Sequence, residues 1–395
     1  MVRAWSRTGL PGSEKIGLRC KTPRMRSRPL LIALGVLVAV ILAAGGIFLA
    51  TRSDDGSSAA PPTTSTVTTP SVPASGLTLG LQDDALLTSA EPLAVPTVKA
   101  LAPRLIRFNI VWSDIAPTKP AAPADPADPA YVWTNADRIV ALASTLHASL
   151  LFTIVNAPKW ANGGKTPENA PTDPADLGAF CGAVAQRYPT VGRFTIWNEP
   201  NRGQFLQPQG AGGAEAPKVL AGLAKACIPA IHAKSRHARV AIGPIASRGG
   251  QGGLAPIPFL AGYRAAGGPE PDGVALNPYL EGQAPLFVPT ERPQDGAVTI
   301  RNLDWLEGNL RAAYGRRMPI WLTEFAVRTV PPVTYADQAT QLRQTVELVR
   351  THYPDVPLLV WFLLRDQGPH DYWRSGLVDT PWHRKPAFAV FKALE

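Results

Sequence analysis

Cysteine is scarce in this chain: Cys20, Cys181 and Cys227 are the only three among 395 residues. They form no CxxC pair and no Cys/His cluster of metal-ligand spacing, so neither a zinc module nor a dithiol redox centre is expected. Glycine-rich phosphate loops are missing too. No GxGxxG or Walker-type element follows the first strand-like run, which argues against dinucleotide or nucleoside triphosphate binding. Histidine is thin, with six in the whole chain, and His370, Asp371 and His383 match no ligand pattern. No metal and no cofactor is expected. The body of the chain is also short of net charge. Residues 1–52 hold nine Lys/Arg against Glu14 alone, whereas the rest holds 30 basic and 29 acidic side chains. The formal charge of +9 is therefore a local N-terminal feature, and no nucleic-acid partner is expected.

What the chain does have is one long apolar run. "LLIALGVLVAVILAAGGIFLA", Leu30 to Ala50, is 21 residues without a charge. At about 1.5 Å per residue it can cross a bilayer core of about 30 Å. Arg24, Arg26 and Arg28 precede it, and Asp54 and Asp55 follow. That bias puts the N-terminus in the cytoplasm. The expected layout is a basic cytoplasmic tail over 1–29, a transmembrane anchor over 30–50 and a disordered Pro/Ser/Thr-rich linker over 51–76. An extracytoplasmic body then fills 77–395. A cleaved secretory signal is the competing reading, although its apolar core would usually be about 7–15 residues. In both readings Cys181 and Cys227 are exported, where they either form a disulfide or sit as two separate buried thiols.

From Leu77 onward, short apolar runs alternate with segments of helical period. The runs are "LTLGLQ", "RLIRFNIVW", "SLLFTIVN", "RFTIWN", "ARVAIGP", "DGVALNPY", "MPIWLTEF" and "VPLLVWFLL". Between them, "NADRIVALASTLH", "DPADLGAFCGAVAQRYP", "EAPKVLAGLAKACIPAIHAKS", "RNLDWLEGNLRAAYG" and "YADQATQLRQTVELVRTHY" carry apolar residues three and four apart, as amphipathic helices do. Thr172/Asp173 and Thr134/Asn135 are candidate N-caps. The runs are apolar on both faces, which suits parallel strands covered by helices. Eight such alternations predict a (β/α)8 TIM barrel, with a doubly wound sheet as the alternative. The Pro-rich stretch Ala116 to Ala130 follows the second run, so a barrel places it on the face that carries active sites.

The polar and aromatic residues at the run ends are then the candidates for chemistry. They include Trp112, Asn156, Trp160, Asn198, Glu199, Asn277, Tyr279, Glu324 and Trp361. Glu199 and Glu324 end the fourth and seventh runs. Two carboxyls facing one cleft suit glycoside hydrolysis, where one protonates the leaving oxygen and the other attacks the anomeric carbon or activates water. Amides and aromatics around them suit a ring with hydroxyl edges and apolar faces. Each of these residues has a plainer alternative, in turn chemistry for Glu199 and in packing for Arg107, Tyr279 and the tryptophans.

"IWNEPN" and "IWLTEF" resemble the motifs of the glycoside hydrolases of clan A, among them families 39 and 5. These are retaining (β/α)8 barrels with carboxylates on strands four and seven. The resemblance runs from Leu77 to Glu395 and includes the ending "GLVDTPWHRKPAFAVFKAL". It implies that Glu199 is the general acid/base, Glu324 the nucleophile and Asn198 a ligand of the hydroxyl beside the anomeric carbon. Arg107 in "LIRFNIVW" would support the nucleophile, Tyr279 in "LNPY" would hold it, and Trp361 would floor a sugar subsite. Asn277 stands where many members have His. Trp112, Asn156 and Trp160 are expected to bind substrate as well. The implied activity is retaining hydrolysis of an extracellular or cell-wall polysaccharide or oligosaccharide. A carbohydrate-binding pseudoenzyme and a transglycosylase are the alternatives.

Overall fold

The structure, a computed structural model, describes residues 76–250, 252–280, 292–293, 295–368 and 372–395. The expected tail and anchor, and all but the last residue of the expected linker, lie outside the described residues. Among the described residues no helix is long and apolar enough to cross a membrane.

All eight apolar runs are strands. They are β1 (Thr78–Gln82), β2 (Leu105–Val111), β3 (Ser149–Val155), β4 (Arg193–Ile196), β5 (Arg239–Ala246), β6 (Gly273–Asn277), β7 (Ile320–Phe325) and β8 (Leu358–Phe362). Each pairs in parallel with its sequence neighbours, and β8 returns to β1, so the sheet closes. Closure rules out the doubly wound alternative and leaves no sheet edge unpaired.

The described helices are α1 (Asp84–Thr88), α2 (Ala94–Leu101), α3 (Trp112–Ile115), α4 (Thr134–Leu146) and α5 (Pro174–Arg187), then α6 (Ala216–Lys234), α7 (Pro256–Ala265), α8 (Leu303–Tyr314), α9 (Tyr335–His352) and α10 (Pro386–Leu394). The five expected helices correspond to α4, α5, α6, α8 and α9. Asp173 caps α5 as expected, accepting from the Ala175 amide at 2.9 Å. The cap expected at Thr134/Asn135 is not used. Trp133 occupies the N-cap of α4 with no side-chain cap bond. Its indole instead packs on Phe180 and donates to the Pro126 carbonyl, so burial of a large ring, not capping, fixes where α4 begins.

The barrel has two cores. Between strands and helices lies a continuous aliphatic and aromatic layer. Inside, Leu105, Leu151, Ala241, Ala275, Trp321, Leu358 and Val360 form a separate plug. Side chains two positions further along β2, β3, β6 and β7 share that inward face. There the filling changes character: Arg107, Thr153, Asn277 and Thr323 are all buried and polar. An apolar floor under a polar layer is what aims functional groups at the C-terminal mouth. Outside, Cys181 of α5 and Cys227 of α6 form a disulfide with Cα atoms 5.4 Å apart, which settles the open question about that pair. The helices approach closely because Gly178 faces Ala226; a Cβ on Gly178 would meet the Ala226 carbonyl at 3.0 Å.

Candidate active site

The cleft at the C-terminal mouth holds about 850 Å³. Its lining includes Gln82, Asp84, Asn109, Asn198, Glu199, Arg202, Tyr279, Glu324 and Trp373, so the strand ends of β1, β2, β4, β6 and β7 converge on it.

Arg107 organises the centre. It is fully buried on β2, and its guanidinium meets an acceptor in every direction. Nε donates to Thr153 Oγ1 at 3.0 Å, Nη1 to the Thr323 carbonyl at 3.0 Å, and Nη2 to Asn198 Oδ1 at 3.0 Å. Nη1 also donates to Gln82 Oε1 and Glu324 Oε1, each at 2.5 Å. A buried cation is tolerated only when paired and saturated in this way. Glu324 receives a second donor, the Tyr279 hydroxyl, on Oε2 at 2.9 Å. Burial, the Glu324 charge and that hydrogen bond push the Tyr279 phenol well above its ordinary value, so it stays a donor. Thr323 and Glu324 are neighbours, yet both reach polar groups at the mouth. A register shift between β7 and β8 after Leu322 inserts one extra residue on β7, a bulge that re-aims the side chains there.

Glu199 is set up differently. It follows β4 with φ 43°, and Trp197 has φ 68°, so the chain kinks twice through the left-handed region that ordinary residues avoid. The kink is held by neighbours. The Glu199 amide donates to the Pro244 carbonyl at 2.7 Å, and the buried Trp197 indole donates to the Phe205 carbonyl at 2.7 Å. Gly243 makes the first of these possible. It sits at φ 88°, where a Cβ would come within 2.5 Å of the Ile245 amide nitrogen. The Glu199 carboxyl is buried and accepts from Asn277 Nδ2 at 3.1 Å. Asn277 is itself oriented by Thr323 Oγ1, which donates to its Oδ1 at 2.9 Å. Among the described residues the one guanidinium touching Glu199 is that of Arg202, at 3.5 Å. Burial, followed by the nearby Glu324 charge, raises the Glu199 carboxyl to about 7. The two carboxyls therefore sit in opposite settings within one cleft.

The remaining expected residues divide. Asn198 lines the cleft, with Oδ1 held by Arg107. Arg107 touches the two carboxyl-side residues but is itself sealed from the cleft. Trp112, Asn156, Trp160 and Trp361 do not line it. Trp112 is buried at the start of α3, stacked on Phe180 and edge-on to Trp160. Trp160 donates to the Ala116 carbonyl at 2.8 Å. Asn156, at φ 61°, offers its carbonyl to the Ser113 amide. Trp361 is 0% exposed, donating to the Ser375 carbonyl at 3.0 Å and packing on Phe325, so its ring cannot floor an open subsite. The aromatic wall is Trp373, whose ring lies 5.2 Å from Tyr279 and 4.9 Å from Phe362. The Pro-rich stretch 116–130 is not in the lining either; Tyr131, Trp133 and Trp160 tie it to the side of the barrel.

The end of β1 also carries a polar group, Asp83-Asp84, which the sequence places at the barrel mouth without a role. Asp84 Oδ2 accepts from Asn109 Nδ2 at 2.6 Å and Gln82 Nε2 at 3.1 Å, while Asp84 Oδ1 and Asn109 Oδ1 find no partner. Burial raises Asp84 to about 6 against the pull of Arg107. Asp83 caps α1 and accepts the Leu364 and Arg365 amides, which ties β1 to the segment after β8. The available signal was the polar pair Asp83-Asp84 at a strand end.

No family model matches the sequence, and no curated protein matches it. Solved structures do share its fold. A family 39 glycoside hydrolase from the gut symbiont Bacteroides cellulosilyticus WH2 superposes with a TM-score of 0.58 at 21% identity, over 80% of this chain and 62% of that one. A monomeric β-xylosidase from Caulobacter crescentus CB15 gives 0.55 at 20% identity, over 81% and 67%. An endo-1,4-β-xylanase from Penicillium canescens gives 0.53 at 14% identity, over 80% and 93%. The chain thus shares the barrel fold of these glycoside hydrolases. This chain spans less than two thirds of the Bacteroides enzyme.

Proposed function

We propose that this protein is a retaining glycoside hydrolase that acts on an extracellular or cell-wall polysaccharide or oligosaccharide. The observation that carries the reading is the opposite setting of the two cleft carboxyls. Glu324 meets a saturated guanidinium and a phenol donor, the partners that a nucleophilic carboxylate requires. Glu199 is buried and raised to about 7, so it can carry a proton to a leaving group near neutral pH.

In the first step a Glu324 oxygen attacks the anomeric carbon. The bond to the leaving oxygen breaks as Glu199 gives that oxygen its proton. The glycosyl ester that forms no longer bears the Glu324 charge, which is one of the causes raising Glu199. Glu199 then becomes the stronger acid and stands as carboxylate. In the second step it takes a proton from water, whose oxygen displaces Glu324 from the anomeric carbon. Asn198 is placed to hold the adjacent hydroxyl. Asp84 and Asn109 are acceptors of the kind that sugar hydroxyls satisfy. Trp373 offers a ring face.

The N-terminal apolar run anchors this body outside the cell, with the basic tail in the cytoplasm. A disulfide in the body suits an oxidising compartment. Protease treatment of intact cells would digest the body under this topology, and full protection would overturn it. For the chemistry, Glu199→Gln should slow glycosides with poor leaving groups by about 10²–10⁴-fold and spare dinitrophenyl glycosides. Equal loss on both classes would refute the acid/base role. A panel of aryl glycosides and wall polysaccharides, with Glu324→Ala as control, identifies the sugar.

A further inference from the structure

One arginine beside Glu199, Arg202, has charge to spare for a ligand. A residue that protonates the glycosidic oxygen lies between the sugar that stays and the group that departs. Side chains beyond Glu199, away from Glu324, therefore face the departing group. Arg202 and Arg248 line the cleft there, and Arg248 is held by Asp295, its Nε donating to Oδ2 at 2.9 Å. Among the described residues the acidic groups in the lining are Glu199 and Glu324 themselves, with Asp83 and Asp84 on the β1 side already engaged.

Arg202 is not committed to Glu199. Its Nη1 stands 3.5 Å from Glu199 Oε2, its Nη2 stands 3.4 Å from Gln204 Oε1, and its buried Nε has no partner among the described residues. These are long contacts for a charged donor, which normally closes to about 2.7–2.9 Å. The side chain is 34% exposed, yet its backbone is rigidly placed. The neighbouring Asn201 amide clamps the carbonyls of Ala246, Arg248 and Leu254 and receives the Ala246 amide. Gly253 packs so tightly on Asn201 that a Cβ there would overlap its carbonyl oxygen. The loops after β4 and β5, and with them both arginines, form one fixed unit beside the acid/base.

We infer that Arg202 forms an anion-accepting leaving-group subsite, so that the unit released by this enzyme carries a carboxylate or a sulfate. The inference rests on the hydrolytic reading of the cleft. A planar guanidinium with a spare fork matches either anion, and the neutral hydroxyls of an ordinary sugar do not use its charge.

The test compares aryl glycosides of whichever sugar proves to be a substrate. The leaving groups are 3-carboxy-4-nitrophenol, 3-sulfo-4-nitrophenol and the neutral 3-carbamoyl-4-nitrophenol. A hydrogen bond to a charged group corresponds to about 10–100-fold in binding, so the anionic-to-neutral ratio of kcat/KM should fall by about that factor in Arg202→Gln. Arg202→Lys should keep part of it. Because the ratio is taken within each variant, any effect of Arg202 on Glu199 cancels. The carboxylate and sulfate arms show which anion is preferred. An unchanged ratio in Arg202→Gln overturns the inference. If no glycoside is turned over, the hydrolytic reading fails and the subsite is still decided, by calorimetric titration with methyl glucuronide, methyl glucoside and its 6-sulfate. Tighter binding of either anion in the wild type, lost in Arg202→Gln, supports the subsite; equal binding of all three refutes it.

Discussion

Two groups of aromatic rings sit near the mouth of this barrel. One gathers Trp112, Trp133, Tyr131 and Tyr188 around Phe180 or beside it, with rings 4.9 to 6.0 Å apart. The other gathers Tyr279, Phe362, Tyr372 and Trp373 on the β6–β8 side. The first group is buried and binds the Pro-rich loop to the barrel wall. The second lines the cleft next to Glu324. Each group includes a ring at the end of a strand, Trp112 after β2 and Phe362 in β8, so position along the chain does not separate a subsite wall from a packing anchor. Burial does, and burial depends on which helix covers each strand.

The deepest break in this contrast comes from the cleft side. Glu324→Ala removes the proposed nucleophile and the counter-charge of buried Arg107. Turnover should fall by at least about 10⁴-fold, and chemical denaturation should show a loss of about 3–5 kcal/mol for the stranded cation. On the other side, Trp112→Ala should cost about 3–5 kcal/mol of stability through the cavity it leaves, with KM unchanged in the surviving folded fraction. A selective rise in KM would erase the distinction between the two groups.

A third test uses pH. The folded-state carboxyl of Glu199 is raised from 4.5 to about 7. The folded protein therefore holds a proton that the unfolded chain releases between those values, and stability falls as pH rises through this window. Glu199→Gln should accordingly raise the melting temperature more at pH 8 than at pH 4, while the wild-type kcat/KM declines on the alkaline side near pH 7. A rate that keeps rising through pH 8 would remove Glu199 as the acid. The smallest effect is expected for Trp373→Ala. Losing one ring contact of about 0.5–1.5 kcal/mol should raise KM about 2–10-fold with little change in stability, as measured by steady-state kinetics and thermal melts.

Legibility in the sequence follows the same line. The eight strands could be read because each is apolar on both faces and bounded by turn residues. Five long helices could be read from their period. α7 escaped because its flanks are dense in glycine and proline, and α3 because a single turn has no period. Glu199, Glu324, Arg107, Asn198 and Tyr279 come together as the motifs suggested, since strand-end position in a closed barrel dictates convergence. The tryptophans at strand ends look alike in the sequence, because a ring there carries no mark of which way it will be covered. Trp373 lies in an irregular segment, where the sequence allows a subsite wall or a loop anchor alike. Asn277 could be named but its partner could not, because the bond to Glu199 joins residues 78 positions apart.

The disulfide between α5 and α6 has a topological consequence. The segment between Cys181 and Cys227 contains all of β4, Glu199 and Arg202. The proposed acid/base, Glu199, and Arg202 thus belong to one covalent ring. Residues 210–212 within that ring are exposed, an obvious place for an extracellular protease to cut. A cut there opens the ring without dividing the molecule, because the sulfur bridge still joins the two pieces. The nicked protein would run as one species until reduced, then as two.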